Sequence, residues 1–155
     1  MRHIYPVILH ILTGLLLLGV ATLSAQESRI TEVIAYHPAP GQFMGSKVMA
    51  SEGVSTYQEL LDKAQQRLVK EGSFLSLGGW GGYIIVRIQP ALVNQPNQAD
   101  FAILGNAFIG NAEPGIIYVS QDANGNGLAD DPWYRIRGSE DYRSNLDYTI
   151  TYYKP

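Results

Sequence analysis

Beyond residue 26 the apolar positions fall in short runs separated by Gly, Asn, Asp and Pro, the punctuation of extended segments joined by tight turns. The runs predict strands at Arg29–Tyr36, Ser73–Leu77, Tyr83–Ile88, Asp100–Leu104, Gly115–Gln121, Trp133–Ile136 and Tyr148–Tyr153. Their centres, such as Tyr83-Ile-Ile-Val86 and Ile116-Ile-Tyr-Val119, are β-branched and aromatic, side chains that pack well on a pleated surface. Such a series predicts an all-β fold, a β-sandwich or jelly roll. One stretch has a different period. Thr56-Tyr-Gln-Glu59 has the form of a capping box, and Tyr57, Leu60, Leu61, Ala64 and Leu68 recur at helical spacing up to Gly72. The opposite face, with Gln58, Asp62, Lys63, Gln66, Arg67 and Lys70, is polar and mixed in sign. This predicts one amphipathic helix packed over an end of the sandwich; the face lacks the basic excess that an anionic membrane selects.

The pattern before residue 26 is of another kind. Arg2 precedes an uncharged stretch whose centre, Val7 to Ala21, is almost wholly apolar, and small and polar residues follow to Gln26. That is the three-part form of a secretory signal peptide, with Ala25 before the expected cleavage point. A retained signal anchor is the competing reading, because the span is just long enough to cross a bilayer. The expected organisation is therefore a signal peptide over 1–25, with its apolar helix, and a single β-sandwich domain over 26–155. The last strand runs to within two residues of the end, which raises the expectation of a sandwich completed by further chain.

Composition narrows the chemistry. There is no cysteine, so an exported chain would use neither disulfides nor a lipid-bearing cysteine for stability or anchoring. The net charge is −3, without a basic cluster, which offers no footprint for a phosphate backbone and makes nucleic acid an unexpected partner. His37 is the only histidine after the leader, in the rigid segment Tyr36-His-Pro-Ala-Pro-Gly-Gln-Phe43; one histidine and no cysteine cannot assemble a histidine-based zinc site. A surface or loop-satisfying role is expected for it. No G-x-S-x-G elbow accompanies it.

The most specific local signal is Asp122-Ala-Asn-Gly-Asn-Gly-Leu-Ala-Asp-Asp131, with oxygen-bearing side chains at positions 1, 3, 5 and 9 of a loop and glycine at 6. A hard cation wants six to eight oxygens at about 2.3–2.6 Å, and alternate residues of a tight loop can aim them inward. Asp122, Asn124 and Asn126 would ligate calcium through side chains, Leu128 through its carbonyl and Asp130 directly or through water. Trp133 stands where the bidentate Glu of such loops belongs, with Asp131 the nearest substitute, which argues against a high-affinity sensor. The alternative is an Asn/Gly-rich hairpin turn needing no ion. Either way the loop should join two strands. In Gly78-Gly-Trp-Gly-Gly82 no Lys-Ser/Thr and no helix start follows, so the glycines predict a bulged or tightly bent connection. Trp80 is expected first as a core residue and second as an exposed stacking platform for a sugar ring or flat ligand. Tyr83 and Trp133 are the other aromatic candidates for ligand contact. Glu113, Asp130, Asp131, Glu140 and Asp141 could be paired for glycoside hydrolysis, but chain spacing cannot establish the separations that chemistry needs.

Taken in order, Tyr36-x-Pro-Ala-Pro-Gly-Gln-Phe43, Ser76-Leu-Gly-Gly-Trp-Gly-Gly-Tyr-Ile84, Asp100-Phe-Ala-Ile103 with Gly105-Asn-Ala-Phe108, Glu113-Pro-Gly-Ile-Ile117, the Asp122 to Tyr134 stretch and Gly138-Ser-Glu140 resemble a family of secreted cell-surface proteins from Bacteroidetes, commonly labelled cell-surface or PKD-domain-containing proteins. The resemblance covers about Ile30 to Pro155. It implies a surface-exposed β-sandwich that binds ligands rather than transforms them, and association with outer-membrane uptake machinery, including that for corrinoids. Only the Asp122 to Asp131 loop carries over as an ion site. The resulting expectation is an exported, calcium-stabilised binding or adhesion module at the periplasm or cell surface, taking a glycan or other small nutrient, and not an enzyme. A carboxylate-dependent extracellular hydrolase and a purely architectural envelope domain are the alternatives.

Overall fold

A computed structural model of the chain describes residues 27–43, 45, 51–111, 113–138, 141–143, 149–151 and 153. The expected leader, 1–25, lies outside the described residues. Among the described residues no helix is long and apolar enough to cross a membrane.

Among the described residues the fold is β-rich, with one α-helix and two small antiparallel sheets. In the first, β1 (Arg29–His37) pairs with β2 (Tyr83–Gln89), from Arg29 opposite Gln89 to His37 opposite Tyr83. Register shifts between Ile30 and Glu32 and between Val33 and Ala35 break the simple alternation of β1. Val33 and Tyr36, three apart, therefore both face the core, where an undisturbed strand would pair Val33 with Ala35.

Helix α1 (Tyr57–Gln65) continues through a wider turn, Gln66–Lys70. Its start is fixed by the capping box read from the sequence: the Thr56 side chain accepts from the Glu59 N–H at 3.2 Å, and the Glu59 carboxylate accepts from the Thr56 N–H at 3.2 Å. Leu60, Leu61, Leu68 and Val69 pack with Leu75, Ile84 and Val86 around buried Val33, Tyr36 and Ala64. The helix also closes the outer edge of β1. Gln65 takes the Val33 N–H on its amide oxygen at 2.6 Å and donates its amide nitrogen to the Thr31 carbonyl at 3.2 Å, while the Tyr57 hydroxyl accepts from the Tyr36 N–H at 3.4 Å. One side-chain amide thus supplies the donor and acceptor that a neighbouring strand would offer, which removes a pairing edge.

The second sheet is a hairpin of β3 (Ile117–Ser120) and β4 (Trp133–Ile136), joined by the Asp/Asn/Gly-rich loop. Ile117, Val119, Tyr134 and Ile136 pair in register along it, as do Tyr118 with Arg135 and Ser120 with Trp133. A short 3₁₀ turn, Asp141–Arg143, follows and is tied back by Arg135, whose Nη2 lies 2.5 Å from Asp141 Oδ1.

Three expected strands do not form among the described residues. The backbone of 73–77 is engaged elsewhere: the Phe74 carbonyl accepts from Arg67 Nε at 2.8 Å, the Ser76 carbonyl from the Tyr36 hydroxyl at 2.5 Å and the Leu77 carbonyl from the Ala39 N–H at 3.0 Å. Near 100–104, Asp100 Oδ1 accepts from the Gln95 N–H at 2.8 Å, a local turn interaction that competes with a ladder. Of 148–153, residues 149–151 and 153 are described and are not in a strand; Tyr148 and Tyr152 lie outside the described residues.

Candidate functional site

Two motifs far apart in sequence make one junction. Ala39 bridges Gly78, and Gly41, Gly78 and Gly82 pack backbone on backbone: a Cβ on Gly82 would lie 1.8 Å from the Leu77 carbonyl oxygen, one on Gly78 2.0 Å from that of Ala39, and one on Gly41 2.4 Å from the Gly79 nitrogen. No residue but glycine fits those positions. The Pro-Ala-Pro-Gly segment is thereby clamped to the Gly-Gly-Trp-Gly-Gly loop, and Trp80 stands at the tip, 67% exposed. The expected core position of Trp80 is therefore corrected: its side chain is exposed rather than buried.

Beside it, at the matched ends of β1 and β2, His37 lies between two tyrosines. Its ring centroid is 4.9 Å from that of Tyr57, nearly parallel at 25°, and 4.9 Å from that of Tyr83, tilted by 31°. The Tyr57 hydroxyl also lies 3.0 Å from His37 Nε2. The Tyr57 hydroxyl thus meets both the Tyr36 N–H and the His37 ring. Tyr57 and Tyr83 are each roughly half exposed. Sequence reasoning singled out Tyr83 but missed its partners. His37 was expected at the surface and is exposed there; Tyr57 was counted as an apolar helix position, and only the pairing of His37 with Tyr83 and the helix N-terminus beside them bring the three rings together.

Trp133 does not join this face. It sits on β4, opposite Ser120, in the other sheet.

The ten-residue loop before it is internally organised as a series of side-chain turns. Asn124 Oδ1 accepts from the Asn126 N–H at 2.8 Å, Asn126 Oδ1 from the Leu128 N–H at 2.7 Å, and Asp122 Oδ2 from the Gly127 N–H at 3.0 Å. The Asn126 amide nitrogen faces the Asp130 carboxylate, 3.1 Å from Oδ2 and 3.4 Å from Oδ1. Gly125 and Gly127 hold φ of 70° and 74°, the left-handed region that lets the chain reverse twice within the loop. Asn126 and Asp130 are thus brought side chain to side chain, while Asp122 and Asn124 are each tied to backbone N–H groups of the loop. Asp131 makes none of these contacts, and its Oδ2 is buried with no hydrogen-bond partner. Among the described residues no three His, Cys, Asp or Glu side chains form a metal-holding group. Any cation here would therefore draw on amide and carbonyl oxygens beside the Asp122 and Asp130 carboxylates, a donor set suited to a hard ion.

The loop is also held from outside. Arg87 of β2 donates from Nη2 to the Gly127 carbonyl at 2.5 Å and from Nε to Glu32 Oε2 at 2.8 Å. A separate cleft of about 510 Å³ is bordered by Arg135, Arg137, Gly138, Asp141 and Tyr142, but Asp141 already takes the Arg135 guanidinium.

No family model matches the chain, and no curated protein matches it.

Proposed function

We propose that this chain is an exported binding or adhesion module of the cell surface, its loop stabilised by calcium and its aromatic face taking a glycan or other small nutrient. The observation that carries the reading is the exposed set of Trp80, Tyr83, Tyr57 and His37 rings on a junction made rigid by glycine packing. A pyranose presents an apolar C–H face and a polar rim, and flat rings with adjacent hydrogen-bonding groups suit both. Rings already fixed against one another lose little entropy on binding. The leader pattern and the resemblance to secreted Bacteroidetes proteins support export. The two sheets are, on this reading, parts of a β-sandwich, and Trp133 contributes through the ion loop or a second contact.

Calcium is supported by the turns that pin Asp122, Asn124 and Asn126 while leaving each oxygen a lone pair. With the Leu128 carbonyl and Asp130 the loop offers about five donors, water supplying the rest, and an affinity of about 10⁻⁴–10⁻³ M is expected from such an incomplete set. On ion binding Asp130 leaves the Asn126 amide.

Binding isotherms against a glycan panel and a corrinoid test the reading. Saturable binding that Trp80→Ala weakens at least tenfold, with the melting temperature unchanged, supports it. No saturable binding to any of these probes removes it.

A further inference from the structure

We propose that Arg87 is a positioning residue for the cation loop and links it to the aromatic face. The inference rests on the calcium reading above. Its basis is a continuous chain of hydrogen bonds. The Glu32 carboxylate holds Arg87 Nε at 2.8 Å, Arg87 Nη2 donates to the Gly127 carbonyl at 2.5 Å, and the N–H of that same peptide unit, belonging to Leu128, donates to Asn126 Oδ1 at 2.7 Å. Asn126 Oδ1 is one of the oxygens expected to ligate. Withdrawal of charge from the Gly127 carbonyl by a guanidinium strengthens the Leu128 N–H as a donor, and hydrogen bonds in series reinforce one another. Arg87 therefore fixes the direction of a ligand atom it never touches.

Three details favour this role over incidental packing. The bond reaches the carbonyl at loop position 6, which leaves the position 7 carbonyl, that of Leu128, open for an ion. The Glu32 carboxylate offsets the guanidinium charge, so that a cation does not meet an unscreened positive group. The Arg87 side chain is about three-quarters covered, and its two terminal guanidinium nitrogens lie 3.6 and 3.9 Å from where a Gly127 Cβ would stand, so the guanidinium rests directly against the loop backbone.

Arg87 and Tyr83 are four residues apart on β2, and strand side chains at even spacing share a face. An ordered loop thus bears on the strand that carries Tyr83 and follows directly from the Trp80 loop. Linkage requires the coupling to be mutual: whatever calcium does for a ligand on the aromatic face, that ligand does equally for calcium.

The test uses calcium chloride as the probe. The chain and its Arg87→Met variant are titrated by calorimetry while the indole N–H signals of Trp80 and Trp133 are followed by NMR, assigned with Trp80→Phe and Trp133→Phe. In the unaltered chain both signals are expected to move with one midpoint. In Arg87→Met the calcium dissociation constant rises about tenfold, as is usual when an outer partner of a ligand is lost, and the Trp80 signal no longer follows the ion while that of Trp133 still does. Glu32→Gln, which keeps the guanidinium but loosens its anchor, gives a smaller shift of the same sign and serves if Arg87→Met does not fold; Arg87→Lys restores part of the affinity. Unchanged affinity in both Arg87→Met and Glu32→Gln, or a Trp80 signal that stays still while the unaltered chain binds calcium, overturns the proposal. No binding by the unaltered chain at millimolar calcium overturns the calcium reading and the link together.

Discussion

One methyl group is more than the junction under Trp80 can hold. At Gly82 and Gly78 an added Cβ meets carbonyl oxygen at 1.8 and 2.0 Å, whereas at Gly115 it meets nothing within 4 Å and φ is not left-handed. Gly82→Ala and Gly78→Ala are expected to destabilise the chain by roughly 1–3 kcal/mol, with Gly115→Ala close to neutral, read from chemical denaturation midpoints. Equal midpoints for all three would show that the junction yields. Tyr36 makes a second residue-scale prediction. Its ring is fully buried, its hydroxyl donates to the Ser76 carbonyl at 2.5 Å, and burial pushes its pKa up from 10.0 to about 12, against a smaller lowering by Arg67. The unfolded chain therefore loses this proton first. Stability from the buried phenol is complete below pH 10, declines between pH 10 and about 12, and is lost above that range. Tyr36→Phe should remove this part of the alkaline decline and weaken the chain by about 1 kcal/mol at neutral pH, measured by urea melts across that range.

The helix acts as a cover for β1 rather than as an independent unit, and its contacts assign different effects to its two ends. Thr56→Ala removes the cap and should weaken the fold by about 1 kcal/mol. Gln65→Leu keeps the volume but strands the Val33 N–H, and is expected to weaken it by about 1–3 kcal/mol and to promote strand-edge association seen in sedimentation. Thr56→Ala should leave that association unchanged. The capping box and the apolar spacing of α1 were readable in the sequence because both are local. The role of Gln65 was not, since nothing in Ala-Gln-Gln-Arg tells which polar side chain will meet a strand edge. The extents of β1, β2, β3 and β4 were anticipated to within a few residues for the same local reason. Ser73–Leu77 misled because its backbone groups are taken by Arg67 at the helix end and by Tyr36 and Ala39, about 40 residues away in the chain.

At the scale of the molecule, much of the apolar surface lies outside the small core around Val33, Tyr36 and Ala64. Leu104 and Ile109 are almost entirely exposed, and Val93, Ile103 and Phe108 largely so. Exposed apolar surface of this kind drives association. Light scattering should therefore rise with concentration, and Leu104→Lys with Ile109→Lys should reduce it; no concentration dependence would mean that these side chains do not meet between molecules. Calcium that binds only the folded chain must raise its stability by about 2.7 kcal/mol when present at 100 times its dissociation constant. Thermal melts with calcium and with EDTA measure this, and Asp122→Ala should abolish the difference.

Local chemistry along the chain determined the helix and its cap, the β3–β4 hairpin, and a reversing loop with oxygens at alternating positions, since each depends on residues close by in the sequence. The placement of Trp80 outside the core, the meeting of His37 with Tyr57 and Tyr83, and the reach of Arg87 to Gly127 were decided only by tertiary structure. A bulge that turned Tyr36 inward, a backbone contact that admits only glycine, and a strand register that set His37 against Tyr83 arise between segments some 20 to 45 residues apart, and no periodicity in one segment records the position of the other.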